Sequence, residues 1–376
     1  MKGRKRRIVF AGGGTGGHLF PGLAVAAELR ERHPDAGIGW IGARRGIEQR
    51  LVPEAGYPLW SLSLGGLKGL GLVTRVRSVF GAGWAVLRCL GRMATRRPAL
   101  VVGVGGYASG PAVLAASTLG VSTLVLEQNH FPGATNRWLA PRVDGVCVPS
   151  QAAADRIGGR RFVTGNPVRR EIAALGDRPR SIAEDGRPRL LVFGGSRGAR
   201  SVNRAMIAAM PALGKLSPAP RIVHQTGDAD VDEVRAALGD HAGLDYEVHP
   251  FLDDMPERLA WADLVIARAG ATTIAELAAA GLPSVLVPYP HAADDHQRHN
   301  AEALADAGAA RVLLDGDAAA QLPALLEELL GNPAGLASMG QAARGVARTD
   351  ATGAIADLAD RLLAGEPLPR EDAHVS

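Results

Sequence analysis

The chain has 376 residues, 47% of them hydrophobic and 21% charged, with a net charge of +4. That length allows two domains with cores of their own, and the balance is that of a globular α/β protein. A charge this small does not by itself imply nucleic acid, and two cysteines, Cys89 and Cys147, offer no disulfide framework and favour a reducing compartment.

The first predicted strand, Ile8–Ala11, runs into a glycine loop and then a helix, with residues 8–28 reading IVFAGGGTGGHLFPGLAVAAE. Such a loop leaves backbone N–H groups pointing outward at a helix N-terminus, where phosphate binds. The basic start, MKGRKRR, is not read as a signal peptide, because the apolar run after it ends at Ala11. Further strands are predicted near Gly39–Ile41, Leu100–Val104, Thr123–Leu126 and Gly145–Val148. No acidic residue stands between Glu54 and Glu127, whereas Lys68, Arg75, Arg77, Arg88, Arg92, Arg96 and Arg97 do. Within this stretch, LVTRVRSVFGAGWAVLRCLGRM interleaves cations with Val76, Val79, Phe80, Trp84, Leu87 and Leu90. This is the pattern of a helix lying on an anionic membrane surface. The plainer alternative is an amphipathic helix packed on the sheet with its arginines in water. Residues 98–126 carry no charge, but Gly105, Gly106, Gly110 and Pro111 interrupt them, so no transmembrane helix is predicted.

The segment 165–189, broken by Pro167, Pro179 and Pro188, marks a domain boundary. The expected division is an N-terminal domain over 1–165, a second domain over 166–345, a helix over 346–364 returning to the first domain, and a frayed tail over 365–376. Second-half strands are predicted near Arg189–Phe193, Arg221–Gln225, Tyr246–His249, Leu264–Ile266, Ser284–Val287 and Ala310–Leu313, and the chain beyond Gly331 reads as helical. A second glycine loop, in LLVFGGSRGARSVNRAM from Leu190, repeats the logic of the first. Strands and helices alternate throughout, so the predicted fold is α/β, with two doubly wound, Rossmann-like domains facing across a cleft.

Gly12, Gly14 and Gly17 satisfy G-x-G-x-x-G, which alone suggests a dinucleotide. The second strand ends in GARRG without the acid that would hold a ribose, although Arg44 and Arg45 suit a 2′-phosphate, so an NADP oxidoreductase stays open. His18 stands where a P-loop carries lysine. A helix start favours the neutral imidazole, so His18 is a candidate general base, against the plainer role of a helix-entry residue. Gly105-Gly106-Tyr107-Ala108-Ser109-Gly110-Pro111 and Glu127-Gln128-Asn129-His130 each follow a strand and point at one crevice. Glu276, after Arg268-Ala269-Gly270-Ala271-Thr272-Thr273, suits a ribose diol, while Thr273 and Glu276 also have capping-box spacing. His291, Asp294, Asp295, His296 and His299 match no metal spacing, and adjacent aspartates suit a helix N-terminus, so no metal is expected.

Taken in order, GGGTGGHLFPGLAVA, GVGGYASGP, LEQNHFPGATNRWLA, TGNPVR, VFGGSRGAR, PFLDDM, ARAGATTIAELAAAGLPSVLVPYP and DDHQRHNA resemble the MurG family of bacterial N-acetylglucosaminyltransferases over nearly all of the chain to Leu363. The resemblance implies a glycosyltransferase B fold. It implies inverting transfer of N-acetylglucosamine from UDP-N-acetylglucosamine to the C4 hydroxyl of lipid I, a muramyl-pentapeptide on undecaprenyl pyrophosphate, to form lipid II in peptidoglycan synthesis. UDP-N-acetylglucosamine is then a substrate, and no cofactor is implied. The resemblance carries donor contacts onto Thr15, Gly16, Gly17, Asn129, Arg169, Ser196, Leu252, Ala271, Thr272, Thr273, Ile274, Ala275, Glu276 and Gln297. Of these, Arg169 and Leu252 would border the uracil, Ser196 the phosphates and Glu276 the ribose. Around Gln297 the chain departs from relatives with two glutamines in a row, reading Asp295-His296-Gln297. His18 becomes the expected base, with Glu127 as the alternative. Gly13, Gly14, Gly105, Gly106, Tyr107 and Ser109 would face the acceptor pyrophosphate.

A membrane-anchored acceptor adds weight to membrane contact through Arg75, Val76, Val79, Phe80, Trp84, Leu87 and Arg88. The implied location is peripheral, on the anionic cytoplasmic face of the bacterial cell membrane, with no nucleic-acid partner. The alternatives are a UDP-N-acetylglucosamine epimerase of the same fold, the NADP oxidoreductase, and a binding protein that has lost activity.

Overall fold

The computed structural model describes residues 6–63, 72–176, 185–195, 198–239, 241 and 243–369, and only the helical backbone of 72–79. The chain divides into two compact units, Met1–Val168 together with Thr349–Ser376, and Arg169–Arg348.

The first unit is built on seven strands: β1 (Arg7–Gly12), β2 (Gly37–Ala43), β3 (Leu59–Leu62), β4 (Leu100–Gly105), β5 (Ser122–Leu126), β6 (Gly145–Val148) and β7 (Arg161–Val163). They pair in parallel in the order β3-β2-β1-β4-β5-β6-β7. Every residue of β4 is buried, as a central parallel strand covered on both faces requires. Alternation along the strands sends Ile8, Phe10, Leu100, Val102 and Leu124 to one face, where Leu19, Val25 and Leu29 of helix α1 (Gly16–Arg32) and Ile355, Leu358 and Ala359 of the helix Ala351–Ala364 cover them. Ala11, Val101, Val125 and Val146 go to the other, under Ala85, Cys89 and Met93 of the helix Leu72–Thr95 and Ala112, Val113 and Ala116 of the helix Ser109–Thr118.

The second unit contains β8 (Arg189–Phe193), β9 (Arg221–Gln225), β10 (Asp245–His249), β11 (Leu264–Ala267), β12 (Ser284–Leu286) and β13 (Ala310–Val312), again all parallel, in the order β10-β9-β8-β11-β12-β13. Leu190, Val192, Leu264 and Ile266 form a core with Val202, Met206, Ala209 and Leu213 of the helix Arg200–Leu213 and Leu322, Leu326 and Leu329 of the helix Ala318–Leu330.

In each sheet the chain winds outward one way and then restarts on the other side of its first strand. The switch lies between β1 and β4 in one unit and between β8 and β11 in the other, and ligands of open α/β sheets bind at the strand ends there. The two strands that the sequence pattern missed, β3 and β7, are edge strands of four and three residues, too short to show alternation.

The helix Leu72–Thr95 keeps Arg88 and Arg92 exposed, as the plainer expectation has it, but its exposed face also carries large apolar side chains. Phe80, Trp84 and Leu87 are 74%, 65% and 60% exposed, while Ala85, Cys89 and Met93 are buried. The helix therefore buries one apolar side and exposes three large apolar side chains among its arginines. Arg92 and Arg88 lie over the Trp60 ring, at 4.6 and 5.6 Å. The side chains of Arg75, Val76 and Val79 lie outside the described residues, as do residues 370–376 of the expected frayed tail and the first five residues of the basic start. Among the described residues no helix is long and apolar enough to cross a membrane.

Candidate active site

The two switch points gather most of the candidate residues, one set in each unit. In the first unit the glycine turns after β1 and β4 pack backbone against backbone. Gly12 and Gly105 have φ of +130° and +91°, and a Cβ on Gly12 would stand 2.0 Å from the Gly105 carbonyl. The Gly13 N–H donates to that same carbonyl at 3.1 Å. A Cβ on Gly105 would stand 2.6 Å from His18 Nδ1, so only glycine lets the imidazole of the first turn of α1 close onto this turn. His18 is half-buried, its Nδ1 lies 2.9 Å from Gln128 Oε1, and its Nε2 makes no hydrogen bond among the described residues.

The outward-facing phosphate loop expected here is partly occupied from within. Glu48, buried at the start of the helix Glu48–Glu54, accepts from the Gly14 N–H at 2.7 Å and from the Ala43 N–H at 3.0 Å. The Gly13 N–H is thus bound to Gly105 and the Gly14 N–H to Glu48. Ser109 is fully buried, its hydroxyl without a hydrogen-bond partner among the described residues, and a Cβ on Gly103 would lie 2.7 Å from it. Tyr107 is exposed at the turn, and Gly106 lies against Gly13, whose carbonyl a Cβ there would meet at 2.3 Å. Thr15, the N-cap residue of α1, is exposed, with Gly16 and Gly17 half-buried after it.

Glu127 does not fit the role of alternative base. Its Oε1 accepts from the backbone and side-chain nitrogens of Asn129 at 2.8 and 3.0 Å, and its Oε2 from Gly133 N and Asn136 Nδ2 at 2.9 and 2.8 Å. Both oxygens of this buried carboxylate thus hold the 127–136 loop in shape. Asn129, an expected donor contact, is one of the groups so held.

In the second unit the centre is Glu276, on the helix Ala271–Ala280 that follows β11. Its Oε1 accepts from Arg169 Nε at 3.1 Å and Nη2 at 3.0 Å, while Oε2 accepts no hydrogen bond among the described residues. Burial raises its pKa above the ordinary value of 4.5, against the opposing pull of Arg169. The helix begins at Ala271 with Gly270 as N-cap, so Thr273 is not a cap residue and the capping box suggested by the spacing does not form. No acidic residue occupies the first turn, which holds Ala271, Thr272 and Thr273 at the positive end of the helix dipole. Ile274 and Ala275 lie on the next turn of this helix.

Leu252 is buried, and its N–H donates to Gln225 Oε1 at 2.9 Å, while Gln225 Nε2 donates to the Gly195 carbonyl at 2.9 Å. Gln225, which the motifs did not single out, thus ties Leu252 to the second glycine loop. Ser196 lies outside the described residues. Gln297 Oε1 accepts from the Tyr289 N–H at 3.0 Å, and Asp295 is the N-cap of the helix His296–Asp306 with a φ of +50° and no side-chain cap.

Comparison with known proteins places this geometry. The glycosyltransferase family 28 N-terminal domain matches residues 8–148, and the family 28 C-terminal domain matches residues 189–361. The UDP-N-acetylglucosamine--N-acetylmuramyl-(pentapeptide) pyrophosphoryl-undecaprenol N-acetylglucosamine transferase of Halorhodospira halophila is 46% identical over 363 residues, 96% of this chain and 99% of that one. The chain belongs to the MurG family, within glycosyltransferase family 28. A relative of the same description from Geobacter metallireducens is 42% identical over 93% of this chain and 97% of its own. The crystal structure of Acinetobacter baumannii MurG superposes with a TM-score of 0.77 at 32% identity, covering 95% of this glycosyltransferase and 99% of that chain. A putative UDP-N-acetylglucosamine 2-epimerase from Listeria monocytogenes shares the fold, at 18% identity and a TM-score of 0.66. The family assignment sets aside the NADP oxidoreductase, and the epimerase likeness is one of fold alone.

Proposed function

We propose that this glycosyltransferase moves N-acetylglucosamine from UDP-N-acetylglucosamine to the C4 hydroxyl of the muramyl-pentapeptide of lipid I, with inversion, forming lipid II. The observation that carries the reading is the likeness, over nearly the whole of both chains, to relatives named for this transfer. The described side chains suit the chemistry. Inversion by direct displacement requires a base for the acceptor proton and a place for the charge that develops on departing UDP. His18 Nε2 is the base in this reading, and Thr15, Gly16 and Gly17 line the same turn. Charge on the leaving UDP falls on the acid-free N-terminus of the helix Ala271–Ala280, Glu276 Oε2 holds the ribose hydroxyls, and Arg169 and Leu252 border the uracil. UDP-N-acetylglucosamine enters as a substrate, and no cofactor is invoked.

The acceptor's undecaprenyl chain lies in a membrane, and the exposed face Phe80, Trp84 and Leu87, flanked by arginines, supports peripheral attachment to an anionic cytoplasmic membrane surface. The decisive experiment is incubation with radiolabelled UDP-N-acetylglucosamine and a short-chain lipid I analogue. Label is expected in a lipid-linked disaccharide, and its absence from that product with folded enzyme would overturn the assignment.

A further inference from the structure

The first unit contains a buried amide that no step above uses. Gln128 is 1% exposed just beyond β5, and three of its polar groups have distinct partners. Its backbone carbonyl accepts from Asn166 Nδ2 at 2.7 Å, its Nε2 donates to the Val104 carbonyl at 3.1 Å, and its Oε1 lies 2.9 Å from His18 Nδ1. The Val104 carbonyl can only accept, so the amide nitrogen must face it, and this fixes which end of the amide faces His18. An amide oxygen can only accept as well. A hydrogen bond at 2.9 Å therefore requires a proton on His18 Nδ1, and in a neutral imidazole that leaves the lone pair on Nε2.

We propose that Gln128 is a positioning residue that holds His18 in the Nδ1–H tautomer and so aims the basic Nε2 at the acceptor hydroxyl. The inference rests on His18 being the base. The surroundings allow little else. Gly105 closes one side of the ring, the 127–136 loop is pinned by the Glu127 carboxylate, and Asn166 fixes the backbone that carries the amide. The chain thus reads a backbone carbonyl on β4 and passes its polarity through one amide to the imidazole. Without it, neutral histidine would divide between two tautomers, one of which has no lone pair at Nε2.

The test combines a spectrum with kinetics. In full-length enzyme labelled with ¹⁵N-histidine, the His18 signals, identified by their loss in His18→Ala, are expected to show a protonated Nδ1 and an unprotonated Nε2 near neutral pH. Gln128→Met removes the acceptor at similar volume. It should lose the tautomer bias and lower kcat by about 10- to 100-fold with the KM for UDP-N-acetylglucosamine unchanged. Gln128→Glu, whose protonated carboxyl can donate to the Val104 carbonyl and still accept from Nδ1–H, should recover most of kcat, which a merely structural role would not predict. A wild-type spectrum with the proton on Nε2 overturns the proposal, as does a folded Gln128→Met enzyme with wild-type kcat. If Gln128→Met does not fold, the wild-type spectrum and the Gln128→Glu rate decide. Normal turnover by His18→Ala would overturn the base assignment instead, so the two failures are told apart.

Discussion

Replacing Glu276 by Gln tests the donor site with least disturbance, because the amide oxygen can still accept from Arg169. What the variant loses is the charge on Oε2, the oxygen without a protein partner among the described residues. A hydrogen bond to a charged group contributes about 1.5–3 kcal/mol, so losing the charge from a ribose contact should weaken UDP-N-acetylglucosamine binding by about 10- to 150-fold. Calorimetric titration measures this directly, and a melting curve run beside it should move little. Acidity gives an independent arm. Burial raises the Glu276 pKa above 4.5, so the carboxylate that binds ribose is lost as pH falls through that raised value. The affinity gap between wild type and Glu276→Gln should therefore shrink at a pH where an ordinary glutamate would still be ionised. For folding the sign is opposite: a carboxyl with a raised folded pKa contributes fully below its unfolded value and loses that contribution as pH rises through the folded one. Donor affinity and stability should thus part company on acidification. Unchanged affinity in Glu276→Gln at neutral pH would refute the ribose role.

Three further outcomes follow from the same geometry. His18→Ala should lower the rate of transfer by about 10²–10⁴-fold with donor affinity nearly unchanged, as measured by single-turnover kinetics and titration. Replacing Phe80, Trp84 and Leu87 together by Ser should weaken binding to vesicles containing anionic lipid by at least about tenfold in sedimentation assays, while turnover of a soluble acceptor analogue holds. Glu48→Ala leaves the Gly14 and Ala43 N–H groups without their acceptor and should cost about 2–4 kcal/mol in denaturant unfolding.

The sequence made some levels of this structure legible and hid others, for identifiable reasons. Strands such as Leu100–Gly105 and Arg189–Phe193 announce themselves because a buried parallel strand must be apolar and the turn after it must be glycine-rich. The MurG-like motifs identified the family. Pairings made across long stretches of chain were another matter. Arg169 and Glu276 meet 107 residues apart, and Gln128 meets His18 across 110, with no periodicity to announce either. Glu48 was missed for a related reason. The acid sought at the end of the second strand is absent there, and the carboxylate that serves the glycine loop arrives five residues later, on a helix. A glycine loop reads alike whether its N–H groups await a ligand or, like that of Gly14 on Glu48, are already satisfied.

The second unit is spliced into the first, since the chain leaves the first at Val168 and rejoins it at Thr349. During translation the sheet face bearing Phe10, Val102 and Leu124 must wait for Ile355, Leu358 and Ala359 while the 180 residues 169–348 are made. At bacterial elongation speeds that is about 10–35 s of exposed apolar surface on a nascent chain, long enough for chaperones to engage it. Any premature stop within 169–348 would therefore damage both units, leaving the half that holds His18 with an unsealed core even though its own first 168 residues were read correctly.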